Sequence, residues 1–496
     1  MSGTGGSLLV VDVGTSSVRA AIVRPDATVD HVHQSAVLPS TPAPGLVEVD
    51  PRAIARAVLE LGAAALAEGG PVAGVGIANQ RATTVVWDRS TGEPVAPGIG
   101  WQDLRTVGTC LTLQADGIRL APNMSATKLA AILDIVDPDR ARGEALCFGT
   151  IDSWVAWTLS GGAGGGALHV TDATNAAVTG LVHPETLAWD DTVLDVLRVP
   201  RPMLPAIVDS SGVVGAAAAL PGTPPICGIA GDQQASLVGQ GCTRPGMAKA
   251  TFGTGAMLDL CTGGRDAGAP SRGDAGTFSI VAWQREGRPR WGVEAVMLSA
   301  GSCVEWLRDD LGMLTSADES AAIAAACHDT GDVWFVPALL GMGTPVWDFG
   351  ARGTLLGVTR GTGRPELVRA VLEGVAHRGA DLLEAAESDS GYAVDALRID
   401  GGMSSNPVFV DALAEATGRP VQVSRVLEAT TLGAGFLAGM AAGTWRDEED
   451  VADAYAPNRT VEPAGGEDQR RARRRRWLEA RSRATRSVPE LSGIAF

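Results

Sequence analysis

The chain has 496 residues, 45% of them hydrophobic and 20% charged, which is enough core for two domains and leaves room for a third. A formal net charge of −17 argues against general nucleic-acid binding, and no apolar run reaches the length that spans a bilayer. Seven cysteines standing singly, without C-x-x-C, and six scattered histidines exclude a disulfide framework and a zinc site.

In chain order, the start MSGTGGS lacks the basic region of a signal peptide, so a cytoplasmic protein is expected. Residues 8–11 (LLVV) read as a buried strand that leads into Asp12-Val13-Gly14-Thr15-Ser16-Ser17, and an apolar strand resumes over 19–23. A hairpin tip with a carboxylate, hydroxyls and free amides suits a triphosphate and a divalent ion; an ordinary polar turn has the same composition. Residues 51–67 open with Pro and carry helical spacing. Residues 72–77 read as a strand that delivers Asn79-Gln80-Arg81-Ala82, and Gly100-Trp101-Gln102-Asp103 follows. Arg81 as a hydrogen-bonding fork and Trp101 as an apolar wall would suit a polyol, although a surface Arg and a core Trp are equally ordinary.

Residues 121–134 form a loop with Asn123, then a helix capped by Ser125, and a further helix carries Trp154 and Trp157. The glycine run 161–166 reads as a surface loop, residues 169–176 (HVTDATNA) as a polar turn, and 201–225 as loops. Residues 226–230 form a strand ending at Gly231-Asp232-Gln233-Gln234, and a second strand-like run turns at Phe252-Gly253-Thr254-Gly255. A carboxylate beside amides, close to a glycine-flanked hydroxyl with free N–H groups, suggests phosphoryl transfer to a hydroxyl. A helix cap followed by a turn fits the same residues. Further on come a helix with Trp306, a strand at 334–337, a glycine-rich loop, a long helix over 366–385 and a strand at 397–399. Asp400-Gly401-Gly402 then leads through Asn406 into a helix at Pro407, a plausible nucleotide site because backbone can approach a ligand there. A small-residue helix runs from Thr430 to Gly443, and the basic run at 470–486 reads as a solvated helix face.

The order of these motifs carries more than any one of them. D-x-G-T, Q-R, W-Q-D, G-D-Q-Q, G-T-G, G-x-L-x-G-V at 353–358 and D-G-G-x-x-x-N succeed one another over roughly residues 8–446. In this order the chain resembles the FGGY carbohydrate kinases and, within them, most resembles the glycerol kinases. The resemblance implies an α/β protein of two ribonuclease-H-like domains, as in actin-like ATPases, facing each other across a cleft. The divisions expected are an N-terminal domain over 1–241, a C-terminal domain over 242–450 and a basic helical extension over 451–496.

By the same resemblance, Asp232 is the general base, and Gln80, Arg81, Trp101 and Gln233 bind substrate together with the pocket positions Ala82, Asn123 and Met257. Thr15, Ser16, Arg19, Thr254, Gly301, Gly402 and Asn406 meet ATP, and Asp12 faces Mg²⁺. The implied activity is ATP-dependent phosphorylation of a small polyol or sugar, with glycerol the leading substrate. A kinase of a four- or five-carbon polyol or ketose, and more remotely an actin-like ATP clamp, are the alternatives. No nucleic acid or membrane partner is expected, and a homo-oligomer is left open. Three pocket positions depart from the glycerol kinase pattern: Ala82 replaces Glu, Asn123 replaces Tyr, and Met257 replaces an aromatic residue. Ala131 also stands where the family signature has Trp.

Overall fold

The structure, a computed structural model, describes residues 5–164, 166–264, 272–426 and 428–493. Residues 1–4 of the leader reading and Gly165 of the glycine run lie outside the described residues. Thirteen strands join in one sheet: Leu8–Val13 (β1), Ser17–Val23 (β2), Val29–Ala36 (β3), Gly74–Asn79 (β4), Ser211–Ala216 (β5), Pro225–Gly231 (β6), Ala248–Phe252 (β7), Ala256–Gly263 (β8), Phe278–Arg285 (β9), Arg288–Met297 (β10), Leu397–Asp400 (β11), Val421–Ser424 (β12) and Pro457–Val461 (β13). Their spatial order is β13-β12-β11-β7-β8-β10-β9-β5-β6-β4-β1-β2-β3.

The sheet contains one topology twice. In the first half β1 pairs antiparallel with β2 and β2 with β3, while β4 adds parallel to β1 and β6 parallel to β4. In the second half β7, β8 and β10 pair antiparallel in turn, and β11 and β12 add parallel on the other side of β7. This repeated order is the ribonuclease-H-like arrangement expected of an actin-like ATPase. The two halves meet where β5 and β9 pair at Ser211 and Arg285.

The strands are apolar without alternation because both faces of the sheet are covered. In β1, Leu9, Val11 and Val13 enter one core, and Leu8 and Val10 enter another. One cover is the helix Pro51–Gly69 (α1), which is started by Asp50 accepting the N–H of Arg52 and by Pro at its first turn. Between the halves, the helix Asp232–Gly239 (α2) crosses a later helix, Ala429–Ala442. A Cβ on Gly239 would lie 1.9 Å from the Ala429 carbonyl oxygen, and one on Gly433 would lie 1.7 Å from that of Ala235. Glycine is required at both positions for the two backbones to touch.

Several local expectations change. Asp12 lies within β1, so the tip of the hairpin is shorter than the D-x-G-T text suggests. Ser125 does not cap its helix; its hydroxyl donates to the Ala82 carbonyl at 3.0 Å, tying the Asn123 loop to the Q-R strand end. The HVTDATNA segment is a short strand, Val170–Asp172, followed by a helical turn, Ala173–Ala177, started by the Asp172 carboxylate. The 201–225 region contributes β5 to the main sheet. Its small and glycine residues look loop-like, yet they suit close packing beside another strand.

The basic run is a helix, Glu467–Ala484, laid along the long helix Arg364–Ser390. Trp477 is buried completely and stacks on His377, with ring centroids 5.2 Å apart. Burial works to raise the buried Asp381, but Arg378, Arg474 and Arg481 outweigh it and hold the carboxyl at about 2. The expected solvated face is therefore only the outer side of a helix whose inner side is packed. Among the described residues, no helix is long and apolar enough to cross a membrane.

Candidate active site

The site follows from register. Val13 of β1 pairs with Asn79 of β4, and Asn79 pairs with Gly231 of β6. The carboxyl ends of three parallel or near-central strands therefore coincide, and the D-x-G-T tip, Gln80-Arg81 and Asp232-Gln233 all leave the sheet at one edge. In the second half Thr251 pairs with Asp400, which sets the G-T-G turn beside Gly401-Gly402 in the same way.

Asp232 is the first residue of α2, and its Oδ1 accepts the Gln233 N–H at 2.8 Å and lies 3.6 Å from Arg81 Nε. Burial raises its pKa, with Arg81 the largest opposing influence. A carboxylate raised in this way is a stronger proton acceptor than a solvated one. It keeps 32% side-chain exposure, so it can still be reached. Arg81 is held from its other end by Glu294, at 2.7 Å.

Asp12 lies near enough to Asp232 for that carboxylate to raise its pKa. Burial is the larger cause, and together they push Asp12 up to about 7 against the opposing charge of Arg19, 3.9 Å away. Arg19 also pairs with Glu428 from the other half of the chain. Thr15 accepts the Trp101 indole N–H at 3.2 Å, so the D-x-G-T tip and Trp101 are in contact. Ser16 is exposed at the tip.

Gln80 is buried and both ends of its amide are occupied: Nε2 donates to the Gly14 carbonyl at 3.1 Å, and Oε1 accepts from Thr83 at 3.0 Å. It ties the Q-R strand end to the D-x-G-T tip and does not present its amide to the cleft. Ala82 is buried and holds a left-handed φ of 61°, a strained conformation for a residue with a side chain. Asn123 is exposed, and Met257 is half-buried on β8.

In the second half, Thr254 is exposed at its turn, and its carbonyl accepts from Ala300 and Ser302. Gly301 donates its N–H to Gly253 at 2.8 Å and opens the helix Gly301–Asp309. A Cβ on Gly402 would meet nothing within 4 Å, whereas one on Gly401 would lie 2.5 Å from the Phe252 carbonyl oxygen. The close approach that demands glycine is thus at Gly401, and Gly402 borders open space. The Asn406 side chain caps the helix Pro407–Thr417 through Phe409 N–H and donates to Ser320 at 3.0 Å.

Residues 7–239 match the N-terminal domain, and residues 248–442 the C-terminal domain, of the FGGY family of carbohydrate kinases. The chain belongs to the FGGY family of carbohydrate kinases. It is an enzyme that phosphorylates an alcohol group, with ATP as the donor that its family implies. Glycerol kinase from Aromatoleum aromaticum is 42% identical, covering 96% of this chain and 98% of its own length. Glycerol kinase from Deinococcus radiodurans is 40% identical over 96% of this chain and 97% of its own. In structure, this FGGY kinase superposes on the glycerol kinase of Plasmodium falciparum with ADP at a TM-score of 0.89, with 26% identity and coverage of 96% and 98%. A xylulose kinase from Lactobacillus acidophilus shares the fold at a TM-score of 0.84 and 20% identity, covering 98% and 99%.

Sequence reasoning overlooked two groups in this FGGY kinase. One is the charged set Lys249, Asp259 and Glu294, visible in retrospect as ionisable residues inside otherwise apolar strands. The other is the buried polar chain Asp172, Thr174, Asn175 and Asn79. Asn175 and Asn79 exchange amide hydrogen bonds at 2.9 and 3.1 Å, and Thr174 accepts the Gly231 N–H. The unusual density of Thr, Asp and Asn in HVTDATNA was the available signal.

Proposed function

We propose that this FGGY kinase transfers the γ-phosphoryl group of ATP to a terminal hydroxyl of glycerol. The observation that carries the reading is the placement of Asp232, between Arg81 and Gln233 and facing Asp12, in a chain aligned over nearly its whole length with glycerol kinases. Asp232 takes the hydroxyl proton, the freed oxygen bonds to the γ-phosphorus, and the bond from that phosphorus to the β-phosphate oxygen breaks to leave ADP. Arg81, Gln233 and Trp101 hold the acceptor. Thr15, Ser16 and Arg19 meet the terminal phosphates, with Thr254, Gly301, Gly402 and Asn406 on the nucleotide side. Such a reaction asks mainly for positioning and charge neutralisation.

Asp12 fits a Mg²⁺ ion, because its partly buried carboxylate stands near a second carboxylate, Asp232, and the Arg19 guanidinium is held 3.9 Å away. Mg²⁺ is commonly held by one or two carboxylates plus substrate phosphates, and it would neutralise phosphate charge during transfer. Unpaired, mostly buried cysteines support a reducing, cytoplasmic setting for the same reading.

ADP formation measured with glycerol, erythritol, pentitols and pentuloses tests the proposal. Glycerol-dependent turnover is expected, and an absence of turnover with every acceptor overturns it. A second reading, preference for a four- or five-carbon acceptor, is favoured by Ala82, Asn123 and Met257. Losing a hydrogen-bonding carboxylate and two ring walls weakens discrimination for a small triol. On that reading Ala82→Glu shifts kcat/KM back towards glycerol.

A further inference from the structure

Lys249 and Asp259 sit opposite each other on β7 and β8, and Asp259 sits opposite Glu294 on β10, so all three side chains share one face of the sheet. That face looks towards α2 and the acceptor site. The Lys249–Asp259 pair is fully buried, with Nζ and Oδ2 2.8 Å apart. Burying two charges is costly, and such a pair is weak grounds for added stability.

The geometry points to a different role. The ammonium of Lys249 has three neighbours: Asp259, Gln233 Oε1 at 2.7 Å and Thr251 Oγ1 at 3.2 Å. An ammonium carries three donors and no acceptor. It can therefore face only the oxygen of the Gln233 amide, never the NH₂.

We propose that Lys249 is a positioning residue for the acceptor. It locks the Gln233 amide so that only its NH₂ is offered to the substrate, and Asp259 supplies the counter-charge. Among the described residues no protein acceptor takes that NH₂. The half-buried Gln233 is thus a pure donor to the cleft, matched to a substrate hydroxyl or carbonyl oxygen that accepts. A hydroxyl bound in this way keeps its own proton free to donate elsewhere, and a deoxy analogue at that position leaves the NH₂ unmatched.

The inference rests on the reading that this cleft takes a polyol or sugar, and wild-type turnover with the best acceptor in the panel tests that reading separately. Two variants then test Lys249. Gln233→Glu keeps an oxygen for Lys249 and replaces the donor by an acceptor. The acceptor KM is expected to rise about 10-fold or more while the ATP KM holds. A change below about 3-fold would mean that the amide oxygen already faced the substrate, and would overturn the proposal.

Replacing the whole buried pair (Lys249→Met with Asp259→Leu) avoids stranding one charge. This variant is expected to raise acceptor KM about 10-fold with kcat within about 3-fold, and adding Gln233→Ala to it should raise KM little further. An unchanged acceptor KM, or a fully additive effect of Gln233→Ala, sinks the idea. If the pair variant does not fold, the Gln233→Glu result decides alone. A wild type without any polyol or sugar turnover removes the functional reading and this inference with it.

Discussion

The hydroxyl of Thr174 accepts the backbone N–H of Gly231 at 2.9 Å, one residue before Asp232. The same hydroxyl donates to Asp172 Oδ1 at 2.9 Å, and that carboxylate is itself fully buried. The strand end that delivers Asp232 is therefore pinned by a polar chain running through a different segment. Thr174→Val keeps the shape of the side chain and strands a buried N–H, at a cost of about 1–3 kcal/mol. We expect lower stability and lower kcat in this variant, read by thermal unfolding and steady-state turnover. Wild-type values for both would show that Gly231 needs no tether.

Asp232→Asn removes the proposed proton acceptor and keeps the size of the side chain. Turnover should fall by about 10²-fold to 10⁴-fold, the usual worth of a positioned base. Nucleotide affinity, measured by calorimetry, should stay close to wild type. Near-normal turnover would exclude Asp232 as the base.

Gly402→Val is a clean probe because its side chain meets no protein atom near the Cβ position. Its fold should survive, while ATP affinity drops as the branched side chain enters the space assigned to the nucleotide. Retained affinity would place the nucleotide elsewhere. Gly401→Val is the contrasting control, since its φ of 85° and the nearby Phe252 backbone predict loss of stability.

Trp477 is fully buried, and its indole N–H lies 3.2 Å from Asp381 Oδ1. Trp477→Ala should cost about 3–5 kcal/mol, the range for removing a buried aromatic side chain. Chemical denaturation measures it, and a change below about 1 kcal/mol would show that the terminal helix is not part of the cooperative core.

Lys128 is buried beside the pocket loop, donating to the Asn123 carbonyl at 3.3 Å, and burial pushes its pKa down to about 7. Its unfolded value is about 10.4, so the unfolded chain binds the extra proton between those limits. Wild-type stability gains a contribution as pH rises from 7 towards 10, and pays the full penalty below 7. The melting temperature of Lys128→Met relative to wild type should therefore be most favourable near pH 6 and least favourable near pH 10. A pH-independent difference would contradict the depressed pKa.

Much of this protein was legible in its sequence. Strand-ending glycines and carboxylates are local features, because turns, caps and buried apolar runs are set by residues within a few positions of one another. Asp232, Arg81 and the D-x-G-T tip could therefore be placed at strand ends without a structure, and the colinear order of motifs named the family. Tertiary structure alone decided what each polar group faces. Gln80 and Asn406 read like ligand-binding amides, yet hydrogen bonds to Gly14, Thr83, Ser320 and Phe409 engage their side chains. Lys249 carried no signal of its own in the sequence, and only the register of β7 on β8 sets it against Asp259 and beneath Gln233. The basic run read as a solvated face until Trp477 met His377, 100 residues earlier in the chain. Pairings between distant segments depend on strand register and helix crossing, and no window of neighbouring residues encodes them.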